Sequence, residues 1–87
     1  MNIKKQFIVR KIMGDNILVP CGDTAIDFNG LITLNDTALD IWQLLPEAQD
    51  EAALKAAMLE MYDVDEQELD ADVEEFLSKL REAGIIE

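Results

Sequence analysis

The residues able to do chemistry in this 87-residue chain are few, and their types rule out most reactions. Histidine is absent. That removes the commonest general base and the commonest metal ligand. No Ser-His-Asp or Cys-His site can form. Ser78, the single serine, lies inside a helical pattern and reads as a surface hydroxyl. Cys21 is the single cysteine, so no internal disulfide is possible, and without a histidine partner it reads as a small structural residue. The acids are many, but Asp70 with Glu74 and Asp72 with Glu75 fall on the polar face of a helix, where paired carboxylates are ordinary solvated charge. Counted from Asp63, residues 63–74 place acids near calcium-loop positions, but the sixth position is Glu68 where such a loop needs glycine. No glycine-rich phosphate loop is present, and no serine opens a helix as a carrier-protein attachment site would require. The sequence therefore predicts no enzyme, no metal and no cofactor. What remains is binding by shape.

The elements that would position such a surface are legible. Phe7–Met13 is rich in β-branched residues. A turn at Gly14-Asp15 and the apolar run Ile17–Val19 complete a hairpin pattern. Pro20 and Gly22 end the second strand. Residues 24–34 then form either a second short hairpin about Asn29-Gly30, a favoured type I′ pair, or one irregular edge strand, with Leu31–Leu34 the preferred strand. Asn35 is placed to cap a helix in which Ala38, Ile41, Trp42 and Leu45 recur at i, i+3, i+4, i+7, and Pro46 stops it. A second helix is predicted from about Asp50 to Met61, with Leu54, Ala57, Met58 and Met61 as its stripe. A third starts at Asp65, with Glu68 placed for a capping box, and repeats the spacing at Val73, Phe76, Leu77 and Leu80. Gly84 is the left-handed residue that ends it. Strands first and helices after make an α+β fold. The expectation is a winged helix-turn-helix-like domain over residues 1–87, with a small antiparallel sheet of three or four strands followed by three helices.

Charge narrows the partners. The net charge is −12. Residues 1–45 carry four bases against five acids, and residues 46–87 carry three bases against fourteen. Such a surface repels nucleic acid and anionic membranes, which lysine and arginine must engage. It reads as a solvated acidic face or as a docking face for a basic partner. No signal peptide and no apolar run of about 18 residues is present, so the expected compartment is the cytoplasm. In a small sheet an edge strand exposes unpaired backbone groups, and a peptide can add there as a further strand.

Three segments carry a resemblance. They are Ile17-Leu18-Val19-Pro20 before a glycine-aspartate turn; Asn29-Gly30-Leu31-Ile32-Thr33-Leu34-Asn35 running into Ala38 and Ile41–Leu45; and Asp72–Leu77 with Leu80 and Gly84-Ile85-Ile86. In this order they resemble the PqqD-like family, peptide chaperones that act as recognition elements for ribosomally synthesised and post-translationally modified peptides. The resemblance implies that the leader of a precursor peptide pairs with the third strand, in a cleft walled by the third helix. It implies Leu31, Ile32, Thr33 and Leu34 on the strand side and Val73, Phe76, Leu77 and Leu80 on the helix side. It also implies a peptide-modifying partner enzyme, often a radical SAM enzyme. The segment from Cys21 to Asn29 is longer than in the shortest family members, so Ala25, Ile26, Asp27 and Phe28 are the alternative edge. A regulatory or dimerisation module of the same shape is the other reading of the chain.

Overall fold

In the computed structural model, which describes residues 1, 3–27 and 30–86, the first two strands are β1 (Phe7–Ile12) and β2 (Asp15–Pro20). They pair antiparallel from Phe7↔Pro20 to Ile12↔Asp15. The turn is therefore Met13-Gly14, one residue earlier than the sequence suggests. Both residues have positive φ, 52° and 88°, as a two-residue turn between twisted strands demands. Asp15 belongs to β2 because it pairs with Ile12.

The segment after β2 departs from expectation. Thr24–Asp27 is a short helix, α1, and not a strand. Gly22 turns the chain with φ 57°, the Ala25 N–H donates to the Gly22 carbonyl at 3.2 Å, and the Ile26 N–H donates to the Asp23 carbonyl at 3.2 Å. The Thr24 hydroxyl accepts from the Gln6 N–H at 2.8 Å, which ties α1 beside the start of β1. The second hairpin does not form on Ala25, Ile26 and Asp27. Phe28 and Asn29, which share that expectation, lie outside the described residues.

β3 (Ile32–Leu34) pairs antiparallel with β2 through Leu18↔Ile32, Ile17↔Thr33 and Asn16↔Leu34. The sheet order is β1-β2-β3, so β3 is an edge. Asn35 caps α2 (Asp36–Leu44), its side-chain oxygen accepting from the Ala38 N–H at 2.8 Å. Pro46 does not simply stop that helix: Leu45–Glu47 tighten into a 3-10 turn in which proline's missing N–H is harmless. Asp50 caps α3 (Glu51–Met61) on the Ala53 N–H, and Asp65 caps α4 (Glu66–Glu82) on the Gln67 N–H. Glu68 makes no bond back to Asp65 among the described residues, so the capping box is one-sided. The end of α4 is a Schellman motif: the Ile85 N–H donates to the Leu80 carbonyl, the Gly84 N–H to the Arg81 carbonyl, and Gly84 has φ 73°.

One cluster of buried side chains joins these layers. Leu18 and Leu34 come from the sheet, Ile41 and Leu45 from α2 and its extension, Leu54 and Met58 from α3, and Leu69, Val73, Leu77 and Leu80 from α4. Each fully buried side chain of this size contributes roughly 1.5–3 kcal/mol. Phe7 braces β1 against α2 by meeting Trp42 edge-on, centroids 6.2 Å apart. Tyr62 donates its hydroxyl to Asp40, linking α2 to the end of α3, and Lys55 reaches Glu74 at 3.0 Å, linking α3 to α4. Among the described residues no helix is long and apolar enough to cross a membrane.

Candidate peptide-binding groove

β3 is short because it hands over to α2 at once: Leu34 is the last strand residue and Asn35 the cap. That handover, with α4 lying across the same core, leaves a groove of about 180 Å³. Its strand wall is Ile32 and Thr33. Its floor is Ala38 and Ile41, with Asn35 and Thr37 at the rim. Its helix wall is Asp72, Glu75, Phe76 and Lys79, one stripe of α4 at i, i+3, i+4, i+7. A second hollow of about 60 Å³ shares Thr37 and Asp72 and extends along α4 to Glu68 and Leu69.

The alternation of β3 sorts the residues that the resemblance nominates. Ile32 is half-buried, Thr33 exposed and Leu34 buried. Ile32 and Thr33 both line the groove at the strand's open edge, although Ile32 shares its face with Leu34 and Thr33 takes the opposite one, and Leu34 belongs to the core. Leu31 precedes the strand and is exposed. On α4, Phe76 alone among the four helix residues reaches the groove, while its other flank packs in the core. Val73, Leu77 and Leu80 are fully buried and serve as the foundation of the helix wall. The reason is geometric: they lie on the helix face that packs on α2 and α3, about 100° round from the groove stripe. Ala25, Ile26 and Asp27 are in α1 and add no strand to the edge.

The groove also holds residues that periodicity in apolar residues could not flag. Asn35 and Thr37 present polar groups at the rim. Asp72, Glu75 and Lys79 read in sequence as plain solvated charge. The available signal was Phe76, the residue shared by the core stripe and the stripe beside it. Electrostatically the helix wall is uneven. Lys79 lies 3.7 Å from Glu75, an exposed i, i+4 pair. Asp72 and Glu68 have no such neighbour among the described residues.

Cys21 is half-buried, away from the groove lining, and no group of three His, Cys, Asp or Glu residues among the described residues is placed to hold a metal ion. What the groove offers is a backbone edge that carries no further strand among the described residues, beside apolar and polar side chains. A peptide laid there could complete the β ladder and read those side chains.

Comparison with known proteins agrees with the architecture. Residues 22–86 match the family described as coenzyme PQQ synthesis protein D. The solved structure of TbiB1 in complex with the TbiA(beta) leader peptide superposes with a TM-score of 0.71 at 22% identity, covering 100% of this chain and 95% of that one. At that identity the likeness is one of fold. No curated protein matches the sequence.

Proposed function

The chain belongs to the PqqD family, and from that premise we propose that it is a non-catalytic peptide chaperone that binds the leader of a ribosomally synthesised precursor peptide. The leader adds as a strand to the open edge of β3 and lays alternate side chains against α4. The observation that carries this reading is the groove itself, in which the unpaired edge at Ile32-Thr33 lies opposite the Asp72–Lys79 stripe. The fold shared with TbiB1, which was solved with a leader peptide bound, supports it.

Chemistry then belongs to a partner, a modifying enzyme of the radical SAM class, with both acting in the cytoplasm. Holding the leader beside that enzyme makes delivery of the core peptide nearly intramolecular, with effective concentrations of millimolar order. The acidic half of the domain docks on a basic surface of the enzyme, so assembly weakens as salt rises through the range where the Debye length falls below about 10 Å. Assembly indifferent to salt would remove that part.

Backbone amide NMR, with the leader of a precursor peptide encoded beside this gene as titrant, tests the whole reading. Saturable shifts confined to residues 31–38 and to α4 from Asp72 to Lys79 are expected. The absence of shifts, both alone and with the partner enzyme present, would overturn the chaperone reading in favour of a protein-docking module.

A further inference from the structure

The groove's charge is not spread evenly, and it specifies more than a generic extended peptide. Three charged residues line the groove, Asp72, Glu75 and Lys79, and Glu68 lines the adjoining hollow that shares Asp72, all four on α4. Glu75 and Lys79 face each other at 3.7 Å and neutralise one end. At the other end Glu68 and Asp72 stand one turn apart on the same face, with no cation or hydrogen-bond donor assigned to either among the described residues. Like charges at i, i+4 work against a helix. The remaining walls, Thr33, Asn35, Thr37, Ala38 and Ile41, carry no charge. An anionic end therefore adjoins an apolar seat made by Ile32, Ile41 and Phe76.

Resting on the leader-binding reading, we infer that the groove selects a leader in which a large apolar residue is flanked to one side, on the same face of the strand, by lysine or arginine. The spacing comes from matching two periods. From Phe76 to Asp72, and again from Asp72 to Glu68, α4 rises about 6 Å. Two residues of a β-strand span about 6.7 Å, and those two side chains point the same way. The basic residues thus stand two and four positions from the apolar anchor, on the side that lies toward the start of α4. A leader reversed in the groove, or carrying acids at those positions, meets two uncompensated carboxylates. The partner at this site is a cationic amphipathic strand, even though the chain as a whole is a strong polyanion.

A displayed library of random nine-residue peptides, selected against the purified domain and against its Glu68→Gln/Asp72→Asn variant, tests this. Circular dichroism establishes that the variant is folded, which exposed isosteric changes should preserve. The expected result is enrichment on the wild-type domain of an apolar position with lysine or arginine two and four residues to one side. The variant should keep the apolar preference and lose the basic one. For a selected peptide, each lysine-to-glutamine change should weaken binding to the wild type about two- to fivefold, as for partly exposed ion pairs, and leave binding to the variant unchanged. Peptides enriched for the apolar position with no basic bias would overturn this inference and leave strand addition standing. A basic bias that persists in the variant would overturn it too. No enrichment on either protein would overturn both.

Discussion

The sheet has two edges, and only one of them is proposed as a recognition site. β1 is six residues long and, among the described residues, has β2 as its one strand partner, with Phe7 at its start packed edge-on against Trp42 of α2. β3 is half that length and is bordered by α2 and α4. By backbone alone the longer strand offers more unpaired groups. α1 is tied only beside the start of that strand, the strand's own residues line none of the hollows described above, and it carries Arg10 and Lys11, the kind of charged residues that blunt an edge against pairing. The difference teaches that an edge becomes specific when a second wall stands next to it. Ladder hydrogen bonds are the same everywhere along a strand, whereas Phe76, Asp72 and Thr37 exist on one side only.

The most severe way to break the comparison is to remove the foundation of that wall. Leu77→Ala or Leu80→Ala should cost about 2–5 kcal/mol in urea unfolding, because both side chains are fully buried. The matching change at the other edge, Ile8→Ala, should cost far less, since Ile8 is 39% exposed.

A second experiment addresses the edges themselves. Outward and inward hydrogen bonds alternate along an edge strand. Of Ile32→Pro and Thr33→Pro, one should therefore lose a bond to β2 and stability. The other should lose only the outward N–H and weaken leader binding by about tenfold or more, beyond the loss of one ordinary hydrogen bond because the ring also obstructs the incoming strand. The same pair of changes at Val9 and Arg10 of β1 should leave leader affinity of the folded protein unchanged. Isothermal titration would check both.

Smaller and more discriminating is a comparison of two caps. Asn35→Ala and Asp50→Ala each remove one side-chain acceptor, at α2 and α3 respectively. Each should cost about 1 kcal/mol and lower the melting temperature by about 4–8 °C. Asn35 also forms the groove rim, so only its loss should reduce leader affinity.

The smallest expected effect is a pH dependence. Tyr62 titrates above its ordinary range, first because it donates to Asp40 and then because it is partly buried. A group whose pKa is raised by folding stabilises the native state below the unfolded value and loses that contribution as pH rises through the folded one. Stability should therefore decline above about pH 10, and Tyr62→Phe should flatten that decline. Thermal melts from pH 8 to 11 would show it.

Much of this fold was legible because its helices announce themselves. Ala38, Ile41, Trp42 and Leu45 in α2, and Val73, Phe76, Leu77 and Leu80 in α4, recur at helical spacing over several turns, and Asn35, Asp50, Asp65 and Gly84 punctuate them. α1 was not legible. A single turn is too short to show a 3.6-residue period, and Thr24-Ala25-Ile26-Asp27 alternates like a strand. Ile26 is 81% exposed, so burial does not drive the choice. Gly22 and the Thr24–Gln6 hydrogen bond, one conformational and one long-range, decide it. The helix that walls the groove and the edge strand could be read from sequence, but half of their residues could not. Val73, Leu77, Leu80 and Leu34, nominated by the family resemblance, suit a core and a binding surface alike, because apolar residues are what both use. Burial separates them, and burial is a property of three dimensions.

One contact far from the groove shapes how the molecule comes apart. Ile3 bridges Ile86, and the Lys4 N–H donates to the Ile85 carbonyl at 2.7 Å. These residues lie almost a whole chain length apart, so their pairing closes a loop nearly as long as the chain allows. Loop closure grows more costly only logarithmically with length, yet a contact of such span cannot assist the early steps of folding. The bridge is thus a clasp fastened after the core has formed. In native-state hydrogen exchange the Lys4 amide should open at a free energy below that of the α4 amides, reporting the unfastening of the ends while the groove stays intact.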